Sequence, residues 1–132
     1  MVQQRYLKDA LMLLLVFLSA CESSPSDKAF EQTVEPILTQ HCVMCHMAGG
    51  AQGELNLFPE PYANLVEVIS SQSKLLLVDP GNVEASYLFH KLVGSHLKVG
   101  GEGVSMPYQR DSLATGDIDA IRQWIENGAQ RD

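Results

Sequence analysis

The sequence predicts an all-α domain, and three observations carry the prediction. Apolar residues recur at helical spacing in three stretches, led by Phe30, Val83 and Ile118. The one run short and apolar enough for a strand, Leu75-Leu76-Leu77-Val78, has no obvious partner, so it reads as an extended segment laid against the core. Glycine and proline clusters separate the helical stretches.

Phe30, Val34, Ile37 and Leu38 stand at i, i+4, i+7 and i+8, which predicts a first helix running towards Cys42. Pro36 falls inside it. Proline lacks an N–H and crowds the preceding turn, so a kink or a restart is expected. Three glycines between Ala48 and Gly53 make a loop. Leu65, Val66 and Ile69 suggest a short helix over residues 62–69, and Asp79-Pro80-Gly81-Asn82 is a turn. A second firm helix is predicted over 83–93, with Val83, Leu88 and Leu92 near one face and Tyr87 beside them. Residues 94–103 form a glycine-broken loop that Met106-Pro107 closes. The last helix covers 116–127: Thr115 caps it, Asp117 and Asp119 suit its positive end, and Ile118, Ile121, Trp124 and Ile125 form its apolar face. Asn127-Gly128 is its stop signal.

The N-terminal stretch stands outside this domain. Arg5 and Lys8 precede an unbroken apolar run over residues 10–18. Nine residues are too few to cross a bilayer, which takes about 20, but suit the hydrophobic region of a secretory signal. Leu18-Ser19-Ala20-Cys21 resembles the lipobox of bacterial lipoproteins. That resemblance implies removal of residues 1–20 and acylation of Cys21, placing the protein on a lipid anchor outside the cytoplasm, on the periplasmic side. The competing reading is an ordinary signal peptide with an incidental Cys21. Glu22 stands where an aspartate would favour inner-membrane retention, which leans towards the outer membrane. The Ser-rich stretch 21–28 then reads as a tether and residues 29–132 as one domain.

From Cys21 onward the chain holds seven Lys/Arg and fifteen Asp/Glu, a net charge of −8. Such a surface argues against nucleic acid as a partner. It suits a redox partner with a basic docking face, or solubility alone.

Cys42-Val43-Met44-Cys45-His46 carries the chemistry. C-x-x-C-H is the attachment sequence for a c-type haem. Two sulfurs at this spacing can add to the two vinyl groups on one haem edge, while the adjacent imidazole supplies an axial nitrogen to the iron. The motif occurs once, so one covalent haem c is expected. A zinc site built on the same residues lacks a second ligand pair. A dithiol redox site expects a βαβ context that the pattern does not supply, and a di-haem peroxidase needs a second motif.

The second iron ligand is narrowed by reach. Met44, Met47 and His41 adjoin the attachment motif and are tied to the His46 side. Met1 and Met12 fall within the signal. His90, His96 and Met106 remain. His90 sits on a predicted helix and His96 in a loop. Met106, about sixty residues downstream beside a stiffening Pro107, is the favoured ligand. The competing reading makes it a core-filling methionine. A Met/His pair raises the reduction potential and saturates the iron, which makes an electron carrier; an open position would make a sensor or small-ligand binder.

The order of these features resembles class I cytochrome c. More narrowly, it is similar to the cytochrome c domains of planctomycetes. Val34-Glu35-Pro36-Ile37-Leu38 precedes the attachment motif, Pro80, Gly81 and Ser86 match a mid-domain segment, and Met106-Pro107, Trp124-Ile125 and Asn127-Gly128-Ala129 follow. The resemblance implies a small all-α fold around one haem, with first and last helices crossing near it and Phe30 and Trp124 in the core. It implies electron transfer between exported redox proteins rather than catalysis.

Overall fold

In the computed structural model of the chain, residues 30–48 and 52–131 are described. The predicted signal, the tether, Cys21 and the loop glycines Gly49 and Gly50 lie outside them. The described residues form three α-helices with short π and 3-10 turns and no named strand. None of these helices is long and apolar enough to cross a membrane.

The first helical segment starts as a π turn, Phe30–Val34, and continues as α1, Glu35–His41. Pro36 sits in the first turn of α1, where its missing N–H leaves no intrahelical bond unmade. The expected restart is therefore a widening of one turn while the chain keeps its helical sense. Phe30, Val34, Ile37 and Leu38 are all buried.

The segment 62–69 is not a helix. A single turn, closed by Val66 N–H on Tyr62 O at 3.0 Å, opens into an extended chain. Glu67 N–H donates to Val78 O (2.9 Å), Leu77 N–H to Val68 O (2.6 Å) and Ser70 N–H to Leu75 O (3.0 Å). The run Leu75–Val78 is extended as expected, and its partner is this segment. Two isolated bridges, Val66 with Val78 and Ile69 with Leu76, mark the pairing, and a third joins Leu76 to Ser86.

The predicted helix 83–93 is two pieces, a 3-10 turn Val83–Ala85 and α2, Tyr87–Leu92. Ser86 breaks it with extended backbone (φ −99°, ψ 106°). Its fully buried hydroxyl accepts from Asp79 N–H at 2.9 Å and donates to Asn82 O at 2.8 Å. The first N–H groups of α2 find partners outside the helix: Tyr87 donates to Leu76 O (2.8 Å) and Leu88 to Leu77 O (2.9 Å). The loop 94–103 contains a 3-10 turn, His96–Val99.

The last helix, α3, spans Thr115–Glu126. Thr115 is its first helical residue rather than its cap; Ala114 holds that position with no side-chain cap bond. The stop at Asn127-Gly128 is kept, with Gly128 at φ 93° and Ala129 N–H on Trp124 O at 2.9 Å. The Phe30 ring meets the Trp124 ring at 5.3 Å and the Tyr62 ring at 5.2 Å, which packs the first turn of the domain against α3. Trp124 Nε1 donates to Gln130 O (2.8 Å) and Tyr62 Oη to Ala129 O (3.0 Å), so both polar ends of this cluster are satisfied. The Gly81 amide bonds Ile125 O at 2.7 Å, which ties the turn before α2 to the end of α3.

Candidate functional site

Cys42 closes α1, donating its N–H to Leu38 O at 2.8 Å. The chain then winds through successive turns, with Cys45 and His46 N–H groups both on Cys42 O at 3.1 and 3.0 Å. This coil draws the two cysteines and the histidine to one side of the chain. His46 O accepts from Leu57 N–H at 2.7 Å, which pins the coil to the segment leading away from it.

Cys42, Cys45, His46 and Met106 all line one cavity of about 610 Å³. That size lies within the range of small-molecule and cofactor sites, about 300–1,000 Å³. Met106 arrives from the far side in sequence, and its amide bonds Lys91 O at the end of α2 with a distance of 2.9 Å. Leu55, Leu57, Leu77, Leu88 and Leu92 supply apolar wall, drawn from the loop after His46, the extended run and α2. His41 and Met44 also line the cavity, from the attachment side. Met44, Val104 and Tyr108 are exposed as well as lining it, so the cavity has an apolar rim open to solvent.

The competing donors lie outside this cavity. His90 is buried, with Nδ1 at 2.7 Å from Ser95 Oγ and Nε2 at 2.9 Å from Glu84 O, and it does not line the cavity. His96 is also buried away from the cavity, with Nε2 at 3.2 Å from Gly103 O and Nδ1 without a hydrogen-bond partner among the described residues. Of the three candidate ligands left by sequence reasoning, Met106 alone is brought to the cavity that holds His46.

The His46 ring has its Nδ1 buried without a hydrogen-bond partner among the described residues. Burial lowers its pKa, against the opposing pull of the Leu55 and Gln52 backbone. Both conditions keep the ring neutral near pH 7, the form in which imidazole donates to a metal. Burial and the nearby Cys45 push the Cys42 thiol up to about 11. A dithiol nucleophile needs the opposite, a depressed pKa that exposes thiolate at neutral pH. Nor do three or more His, Cys, Asp or Glu side chains converge as a metal cage would, among the described residues.

The residues present fit a haem. Two thiols, a neutral imidazole and a thioether share one apolar-walled cavity, and the thioether belongs to a chain segment distinct from that of the imidazole. Sequence reasoning missed polar residues of the wall, Gln72, Lys91 and Arg110 among them. Lys91 left a faint signal, standing one turn after Tyr87 and beside Leu92 on α2; Gln72 left none.

No family model matches this chain, and no curated protein or solved structure does.

Proposed function

We propose that the protein is a mono-haem c-type cytochrome, tethered by lipid on Cys21 and passing single electrons between exported redox partners. The observation that carries the reading is the convergence of Cys42, Cys45, His46 and Met106 on one cavity. A small class I cytochrome c-like fold is the architecture that goes with it. The bound haem supplies a one-electron iron couple.

The chain's own residues hold and tune that group. Cys42 and Cys45 would fasten it covalently, His46 would offer a neutral ring nitrogen, and Met106 would offer a weak sulfur donor from a separate chain segment. The leucine wall excludes water, which favours the less charged state of the iron site. The exposed rim of Met44, Val104 and Tyr108 gives a partner an apolar surface to approach, and tight electronic contact needs such a dry patch.

Two measurements test this. A pyridine haemochrome spectrum and intact mass of the exported protein are expected to show one covalent haem; free thiols at Cys42 and Cys45 would end the reading. Met106→Ala is expected to abolish the low-spin sulfur–iron signature and open the iron to carbon monoxide. An unchanged spectrum would remove Met106 as ligand and favour the alternative, a haem-based sensor with an open distal position.

A further inference from the structure

The cavity wall is electrostatically unlike the rest of the molecule. The chain from Cys21 onward carries −8. Yet Lys91 and Arg110 line the cavity, and no Asp or Glu does among the described residues. Arg110 is exposed and needs no partner, since water serves it. Lys91 is different: it is only 8% exposed and makes no salt bridge among the described residues.

A buried ammonium is costly unless it is paired. It has three N–H donors. One reaches Glu102 O at 3.0 Å and one Gln72 Oε1 at 3.3 Å. The Tyr87 ring lies 5.7 Å from Nζ and adds a weak cation–π attraction. None of these groups carries negative charge, and the third donor has no partner among the described residues. Gly103 stands beside the pair: a Cβ there would lie 3.4 Å from Lys91 Nζ and 3.6 Å from Gln72 Nε2.

Haem offers the missing anion. Its two propionate carboxylates occupy the edge opposite the vinyl groups that cysteines take. We propose that Lys91, steadied by Gln72, is the counter-ion of one haem propionate, and that this ion pair sets the charge felt by the iron. The inference rests on the haem reading above. Lys91 is a positioning and tuning residue, acting on the iron through the carboxylate. A propionate left unpaired favours the oxidised iron, so the pair raises the reduction potential.

The deciding experiment is NMR of the reduced, haem-bearing wild-type protein, which needs no variant to fold. Nuclear Overhauser contacts between the Lys91 side-chain methylenes and one propionate methylene are expected. Resonance Raman of the same protein is expected to show a propionate bending band that shifts in Lys91→Met, stays near its position in Lys91→Arg, and does not move in the exposed control Lys98→Met. Redox titration is expected to show a lowered potential in Lys91→Met and not in Lys91→Arg. Covalent haem with no Overhauser contact at Lys91 overturns this assignment and leaves the cytochrome reading standing; absence of covalent haem overturns both.

Discussion

Ser86→Ala removes one oxygen and tests how the cavity wall is held. The hydroxyl is fully buried and works in both directions, accepting from Asp79 N–H and donating to Asn82 O. Asn82 O keeps a second partner, the Ala85 N–H at 3.3 Å, but Asp79 N–H has no other among the described residues. An orphaned, partly buried N–H costs about 1–3 kcal/mol, and the lost hydroxyl bond adds about 1 kcal/mol. Half-burial of Asp79 puts the first figure near its lower end, so a total of about 2 kcal/mol is expected. For a domain of roughly a hundred residues that is a fall of about 8–16 °C in Tm. The site should feel it too, because Ser86 directly precedes α2, which brings Tyr87, Leu88, Lys91 and Leu92 to the cavity. Thermal melts of wild type and Ser86→Ala, followed by far-ultraviolet circular dichroism and by haem absorbance, measure both effects. A Tm within about 2 °C of wild type would refute the role given to this hydroxyl.

Other consequences can be checked singly. Gly101→Ala places a Cβ against the Tyr87 ring and 2.8 Å from His96 O, so the ring or the loop must shift at the cavity wall; the haem absorption bands should shift, and an unmoved spectrum counts against the packing described. Phe30→Ala empties the cluster with Tyr62 and Trp124 and should cost about 3–5 kcal/mol by chemical denaturation; a loss under about 1 kcal/mol would place the cluster outside the core. Burial raises the Tyr87 phenol above its usual 10.0. The folded state therefore holds its proton where the unfolded state gives it up, and stability complete below pH 10 is lost as pH rises through that range. Tyr87→Phe should flatten this alkaline decline, and identical pH profiles would show that Tyr87 does not cause it. If acidic charge guides docking, electron transfer to a basic partner should slow as salt rises from 0.05 to about 0.5 M, within which screening shortens severalfold; rates indifferent to salt would contradict it.

How far the fold could be read depended on how local its causes are. The first and last helices were legible because Phe30, Val34, Ile37 and Leu38, and then Ile121, Trp124 and Ile125, each repeat on one helical face and bury it. The segment 62–69 misled because Leu65, Val66 and Ile69 satisfy helical spacing and a turn followed by extended chain equally well. Its pairing with Leu75–Val78 is settled by tertiary hydrogen bonds that no short window contains. Ser86 broke the predicted second helix for a related reason. Its hydroxyl bonds Asp79 and Asn82 across the turn, an alternative to helix that serine favours.

The candidate site divides along the same line. Cys42, Cys45 and His46 announce themselves by spacing, and Met106 by elimination. Lys91 and Gln72 are nineteen residues apart and are brought together only by tertiary packing, so beyond the place of Lys91 on α2 nothing local marks the pair.

The hydrogen bond from Met106 N–H to Lys91 O gives the site an economy of motion. The backbone carbonyl of Lys91 holds the proposed sulfur ligand, while the side chain of the same residue faces the proposed carboxylate. With haem bound as proposed, displacing Met106 would pull on the end of α2 and so on the residue that carries the ammonium. Release of the proposed ligand and loosening of the proposed balancing charge would then be coupled through one backbone hydrogen bond.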